Sequence, residues 1–139
     1  MKVAVNDLVT DASVLVCMLT GTTHTAAGLT DRLGESWCHA PHVVDAEVGH
    51  ALRRKERNGE LDSHRALTAL RCLDRTIDER YPHTSPMIEM AWLQRERLTF
   101  YDALYVSLAA MLQVPLLTLD ARLARCHDLP CEVELIIDN

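Results

Sequence analysis

Four carboxylates are spaced so that they could act on one substrate: Asp11, Glu47, Asp102 and Asp120. Asp11 follows a short apolar run at residues 8–10, and Asp120 follows another at residues 115–119. Both runs are too short for a typical helix and read as buried strands of a parallel sheet. Ligands of open α/β sheets bind at the carboxyl ends of the strands, where both acids fall. Asp102 stands in the first turn of a helix whose Tyr105, Leu108, Ala109 and Leu112 recur at helical spacing, so it can share their inward face. Glu47 lies three residues after Val44 and four before Ala51, on the apolar stripe of another helix. An ionised carboxylate there costs on the order of several kcal/mol unless it is paired or binds a metal.

Carboxylates that converge repel one another and raise each other's pKa, so a cluster of four predicts a divalent cation that keeps them ionised. Ligation by oxygen alone indicates Mg²⁺ or Mn²⁺, with coordination positions left for water or phosphate. Each acid also has a purely structural account. Asp11 and Asp120 suit helix N-caps, Ser13 being a rival cap to Asp11. Asp102 stands three residues after Thr99 in a capping-box-like arrangement, where the helix dipole favours an acid. Glu47 could reach out to solvent or pair with an arginine. Asp45, off the stripe, is the acid most easily mistaken for it. Convergence accounts for all four at once.

The elements that must position these acids follow from length and pattern. With 139 residues, 48% of them hydrophobic, the chain is expected to form one domain over 1–139. Only 4% are aromatic, so the core is expected from Leu, Val, Ile and Ala, as helices packed on a small parallel sheet would have it. In order, the pattern predicts a helix over 12–19, a weaker one over 22–33, and a strand over 36–39 ended by Pro41. A clear helix follows over 41–58, with a stripe of Val44, Val48, Ala51 and Leu52 and with Gly59 just past its end. Another helix over 62–78 makes an antiparallel hairpin with it, a natural arm for a partner. A strand over 81–84, a helix over 86–97 and a last edge strand over 131–137 complete the list, with Trp92 expected to serve packing.

The net charge of −6 argues against holding a polyanion by bulk electrostatics, so any nucleic-acid contact must be local. Arginine supplies twelve of the fourteen cations, and its fork matches phosphate geometry. The densest basic patch, Arg53, Arg54, Lys55 and Arg57, also complements the dipole at its helix's end. Five cysteines, an odd count without a CxxC pair, read as reduced thiols of a cytoplasmic protein. Cys126, His127 and Cys131 match no standard zinc spacing. Asp7 and Asp11 come too early for the apolar core of a signal peptide, and no run approaches the ~20 apolar residues of a membrane span.

Three stretches in this order resemble the PIN-domain proteins, and more narrowly the VapC-type toxins of toxin-antitoxin modules: VTDASVLV, APHVVDAEVGHALRR and LTFYDALYVSLAAMLQVPLLTLDARLA, followed by a terminal strand. On that match the family's acidic positions fall on Asp11, Glu47, Asp102 and Asp120. Ser13 and Thr118 match the polar residues that accompany the first and last of them. The resemblance implies a doubly wound three-layer α/β/α domain with a central, mainly parallel sheet. It also implies Mg²⁺- or Mn²⁺-dependent endoribonuclease activity, a homodimer, and inhibition by a cognate VapB-type antitoxin that packs on the arm over 41–78 and reaches the acidic pocket. Arg53, Arg54 and Arg57 are then candidates to hold the RNA backbone.

Other classes leave distinct marks. A phosphorylatable receiver domain needs a lysine at the end of a late strand, where neither Lys2 nor Lys55 can be placed. A non-catalytic binding module would tolerate Asp11→Asn. A PIN-like nuclease acting on DNA or on structured nucleic acid is the nearest rival to one acting on RNA.

Overall fold

Aliphatic runs too short to bury themselves as helices build the sheet in the computed structural model, which describes residues 6–138. Lys2 lies outside them, as do the other residues before Asn6. The strands are β1 (Asn6–Thr10), β2 (Ser36–Pro41), β3 (Glu79–Tyr81), β4 (Leu116–Thr118) and β5 (Val133–Leu135). They lie in the order β3-β2-β1-β4-β5 with every pairing parallel, as the sequence leads one to expect. The connecting helices are α1 (Ala12–Thr20), α2 (His24–Gly34), α3 (Val43–Arg57), α4 (Ser63–Thr76), α5 (Met87–Leu93), α6 (Phe100–Leu112) and α7 (Ala121–Ala124).

The strand order fixes the layers. From β1 the chain steps to β2 and on to β3, then returns to β4 on the far side of β1 and continues to β5. Right-handed crossovers place the first four helices on one face and the last three on the other. The result is a doubly wound α/β/α sandwich whose direction of winding reverses between β1 and β4. At such a switch point the connections leave in opposite directions and open a crevice at the carboxyl edge. Helix α6 is buried at every position from Ala103 to Ala109, as a helix apolar all round must be. On the other face α3 buries Val44, Val48 and Leu52, the predicted stripe, while Ala51 is half-buried.

Several boundaries differ from expectation, each for a local reason. Pro41 does not open α3. It closes β2, where its register partner is Tyr81, and the helix begins at Val43. The third strand lies upstream of the predicted 81–84, because its backbone must pair with His39, Ala40 and Pro41, and Pro82 offers no N–H to extend it. The predicted helix over 86–97 stops at Leu93 and finishes in turns. Trp92 is not packed in the core: its side chain is 59% exposed, with the Arg95 guanidinium 4.8 Å from its ring centre. The expectation is that it serves packing, yet within this chain α5 turns Met87 and Ala91 inward instead.

Of the buried polar side chains away from the carboxyl edge, His39 is satisfied internally, whereas the Ser107 hydroxyl of α6 has no hydrogen-bond partner among the described residues. His39 holds Asp7 Oδ1 through Nε2 at 2.8 Å and the Tyr81 hydroxyl through Nδ1 at 2.7 Å, so both ring nitrogens are engaged. Among the described residues no disulfide joins the five cysteines, and no single helix is long and apolar enough to cross a membrane.

Candidate active site

Asp11 is held by three donors from two strands' ends. It caps α1 in an extended backbone conformation, accepting from the Val14 N–H at 3.2 Å. The Ser13 hydroxyl donates to Oδ1 and the Thr118 hydroxyl to Oδ2, both at 2.5 Å. The register explains the second bond: Thr10 pairs with Leu117, so the next residues along each strand meet at the edge. Ser13 Oγ in turn accepts from the Leu119 N–H, and Thr118 Oγ1 from the Asp120 N–H. Capping and site-building are thus the same act for Asp11, and Ser13 is a donor to it, not the rival cap.

Asp120 caps α7, accepting from the Arg122 N–H at 2.9 Å, while the Arg122 guanidinium stands 3.4 Å away. Asp102 occupies the first turn of α6, where Thr99 Oγ1 accepts from its N–H at 3.1 Å. Glu47 is half-buried on α3 and takes neither of the structural escapes, an outward reach or an arginine. Its Oε1 accepts from the Tyr105 hydroxyl of α6 at 2.7 Å, tying the two helical layers together across the sheet's carboxyl edge. Asp45, the possible impostor, points away and is clasped by Arg80 at 2.8 and 2.9 Å.

The electrostatics join the four acids. Burial raises the Asp11 carboxyl above its ordinary range; the Ser13, Thr118 and Val14 bonds oppose this, and the Asp102 charge adds to it. Burial likewise raises Glu47, against the Tyr105 donation and with the charges of Asp102 and Asp11. Asp102 is raised by burial and by the Asp120 charge, with Thr99 opposing. For Asp120 burial is the largest single influence and acts upward, yet the Arg122 bonds and charge outweigh it, so this carboxyl falls below its ordinary value. The described side chains place no three of His, Cys, Asp or Glu close enough to enclose one ion between them. The carboxylates therefore feel each other's charge without sharing a single tight coordination shell. An oxygen-only set of this kind fits a hard cation that keeps much of its water and takes one or two carboxylates, as Mg²⁺ does.

The chain matches the PIN domain over residues 8–129. It belongs to the PIN-domain family. The closeness runs to one branch: it is 49% identical to Ribonuclease VapC1 of Mycobacterium tuberculosis over 131 residues, 94% of this chain and 98% of that one. It is 39% identical to Ribonuclease VapC3 of the same organism over 118 residues, 85% of each chain. The PIN fold recurs in the VapBC2 structure of Rickettsia felis, bound to a promoter DNA fragment. That chain superposes with a TM-score of 0.69 at 12% identity, over 93% of this chain and 98% of that one.

Among PIN residues the sequence did not single out, Tyr105 matters most. Counted in the apolar stripe of α6, it is a phenol in the core, and a buried phenol needs a partner for its O–H. That need was the available signal, though it could not name Glu47. Tyr105→Phe is expected to lower activity roughly tenfold and to move the acidic limb of the pH–rate profile upward, because the lost donation was holding the Glu47 pKa down. An unchanged profile would remove Glu47 from the base role proposed below. Asp45→Asn, which breaks only an exposed ion pair, is expected to leave cleavage unchanged and to move the melting temperature by no more than ~2 °C.

Proposed function

We propose that the protein is a divalent-metal-dependent endoribonuclease, the toxin of a toxin-antitoxin pair. The observation that carries this reading is the set of four acids gathered around the β1/β4 switch point, in a chain 49% identical to a protein named as a ribonuclease. Mg²⁺ or Mn²⁺, when bound, supplies charge stabilisation to the phosphate and acidity to water. Asp11 and Asp102 are the carboxylates that would hold it. Ser13 and Thr118 keep the Asp11 carboxylate turned toward the crevice, an orienting role that shells around metal ligands commonly play. Glu47, whose proton affinity burial increases and whose position Tyr105 fixes, is suited to take the proton of the attacking water. Asp120, kept ionised by Arg122, would orient that water or complete the ion's shell.

The partner protein would be a VapB-type antitoxin, in keeping with the VapBC2 pair whose structure this fold resembles, and the α3–α4 arm is the surface it would occupy. A second copy of the chain would cover the exposed apolar face of Ile88, Trp92, Leu93 and Phe100, giving a homodimer. Five cysteines that form no disulfide are consistent with the cytoplasm as the compartment. The test is cleavage of a mixed RNA pool by antitoxin-free protein with Mg²⁺, with Mn²⁺ and with EDTA. Cutting that requires the ion supports the reading. Equal cutting in EDTA, or none with either ion, sinks it.

A further inference from the structure

Two cavities are bordered by the acids, and both carry cations, of which only Arg122 has a part in the chemistry above. The larger, about 900 Å³, runs between α1 and α3 from Ser13 and Glu47 to His50, Arg54 and Lys55. The smaller, about 400 Å³, joins Asp102 and Asp120 to Arg97, Arg122 and Arg125. No residue lines both, but Leu119 borders the larger and the next residue, Asp120, the smaller, so the two cavities adjoin beside the acids.

On α3, Glu47, His50, Ala51 and Arg54 recur at helical spacing and share the face that lines the larger cavity. Arg53 and Arg57 fall off that face, so the structure separates Arg54 from the two arginines grouped with it in the sequence. Arg54 lies ~10.5 Å along the axis from Glu47, about three nucleotides of a stacked strand at ~3.4 Å each. The side chains of His50, Arg54 and Arg125 make no hydrogen bond or ion pair with any described residue. Lys55 is less available, paired with Glu60 at 3.5 Å, and Asp138 lines the same cavity as a counter-charge. Arg97 bonds only uncharged oxygens, those of Gln94, His127 and Asp128. Arg122 reaches Asp120 at 3.4 Å with its side chain 86% exposed, a weakly held pair.

A polyanion brought onto four carboxylates is repelled there, and the chain's net charge gives no general attraction. Attraction must come from cations on either flank. We propose that a single strand of RNA crosses the acid cluster from one cavity to the other, held by His50 and Arg54 on one side of the scissile phosphate and by Arg122 and Arg125 on the other. This path rests on the ribonuclease reading. It adds the positioning residues that bring the phosphate to the acids.

The experiment measures binding of a fluorescein-labelled single-stranded oligouridylate in EDTA over a range of salt. It compares wild type, His50→Ala with Arg54→Ser, Arg122→Ser with Arg125→Ser, and Arg65→Ser with Arg71→Ser, which matches the charge change of the second flank and lies outside both cavities. Each flank variant is expected to lower the steepness of log K against log salt by about 0.7 for every phosphate it no longer neutralises. The two decreases should add, while the α4 variant stays as wild type. Arg54→Lys with Arg122→Lys keeps the charges and should keep the slope. Melting curves for every variant ensure that folded protein is compared. Wild-type slope in either flank variant, an equal decrease in the α4 variant, or no binding by wild type at low salt overturns the path. Mixed-pool cleavage in Mg²⁺, run beside it, keeps the two ideas apart. Binding with the expected slopes but no ion-dependent cutting removes the nuclease reading, and cutting with unaltered slopes removes the path.

Discussion

Asp102→Asn is expected to reduce Mg²⁺-dependent RNA cleavage by roughly three orders of magnitude, about 4 kcal/mol of transition-state stabilisation, while leaving the fold intact or slightly firmer. The two halves of this expectation have one cause. In the absence of an ion the Asp102 charge is disfavoured by burial and by the neighbouring Asp120 charge. The isosteric amide relieves both. The cap of α6 survives, since Thr99 bonds the backbone N–H of residue 102 and not its side chain. A melting temperature equal to or above that of wild type, together with lost cleavage, is the mark of a residue kept for chemistry at a cost in stability. If the variant cuts like wild type, Asp102 is only a dipole-matched first-turn acid. EDTA should reproduce the loss in wild type and add nothing to it in the variant.

Thr118→Val should give the largest stability change at the site. Thr118 is fully buried, and its hydroxyl is one of three donors to a carboxylate that is itself almost fully buried. Removing it leaves Asp11 short of a bond and the Asp120 N–H without its acceptor. Stranded buried polar groups cost about 1–3 kcal/mol, or roughly 3–10 °C in melting temperature for a domain of this size. The sign with pH follows from the lost donor. Thr118 lowers the pKa of Asp11, which burial has already raised above its unfolded value, so the valine raises the folded-state value further. The variant's native state then binds more protons, and its deficit relative to wild type grows as pH rises through that carboxyl's range and is smallest in acid. Thr118→Ser restores the hydroxyl and should recover most of the loss. A deficit that is flat across pH would point to packing of the methyl group, not to the bond with Asp11.

The site was legible in the sequence wherever a residue's role is set by its immediate neighbours. The apolar run that ends at Asp11, the one that ends near Asp120, and the helical spacing around Glu47 and Asp102 are all local patterns. Each placed its acid at the right end of the right element. Glu47 was the most informative, because a carboxylate on a buried stripe contradicts the pattern around it. Boundaries were read less well where two accounts of one residue compete locally. Proline suits both a strand's end and a helix's first turn, and only the pairing of Pro41 with Tyr81 decides between them. Trp92 lies outside the core because its helix buries Met87 and Ala91, and nothing in a short amphipathic segment says which side will face inward.

Local pattern was enough for the alternation of strands and helices, the α/β class, and the placing of four acids at strand ends and on helices near the site. Periodicity and capping are properties of a few consecutive residues, so they survive without the rest of the chain. What those acids touch is a matter of the folded chain. Thr118 meets Asp11 across 107 residues, and Tyr105 meets Glu47 across 58. The same is true of the return of β4 beside β1, which opens the crevice, and of Arg54 facing it while Arg53 and Arg57 do not. Such contacts depend on strand order and on which helix face packs inward. Burial of the whole core selects both at once, so no short stretch of sequence encodes them.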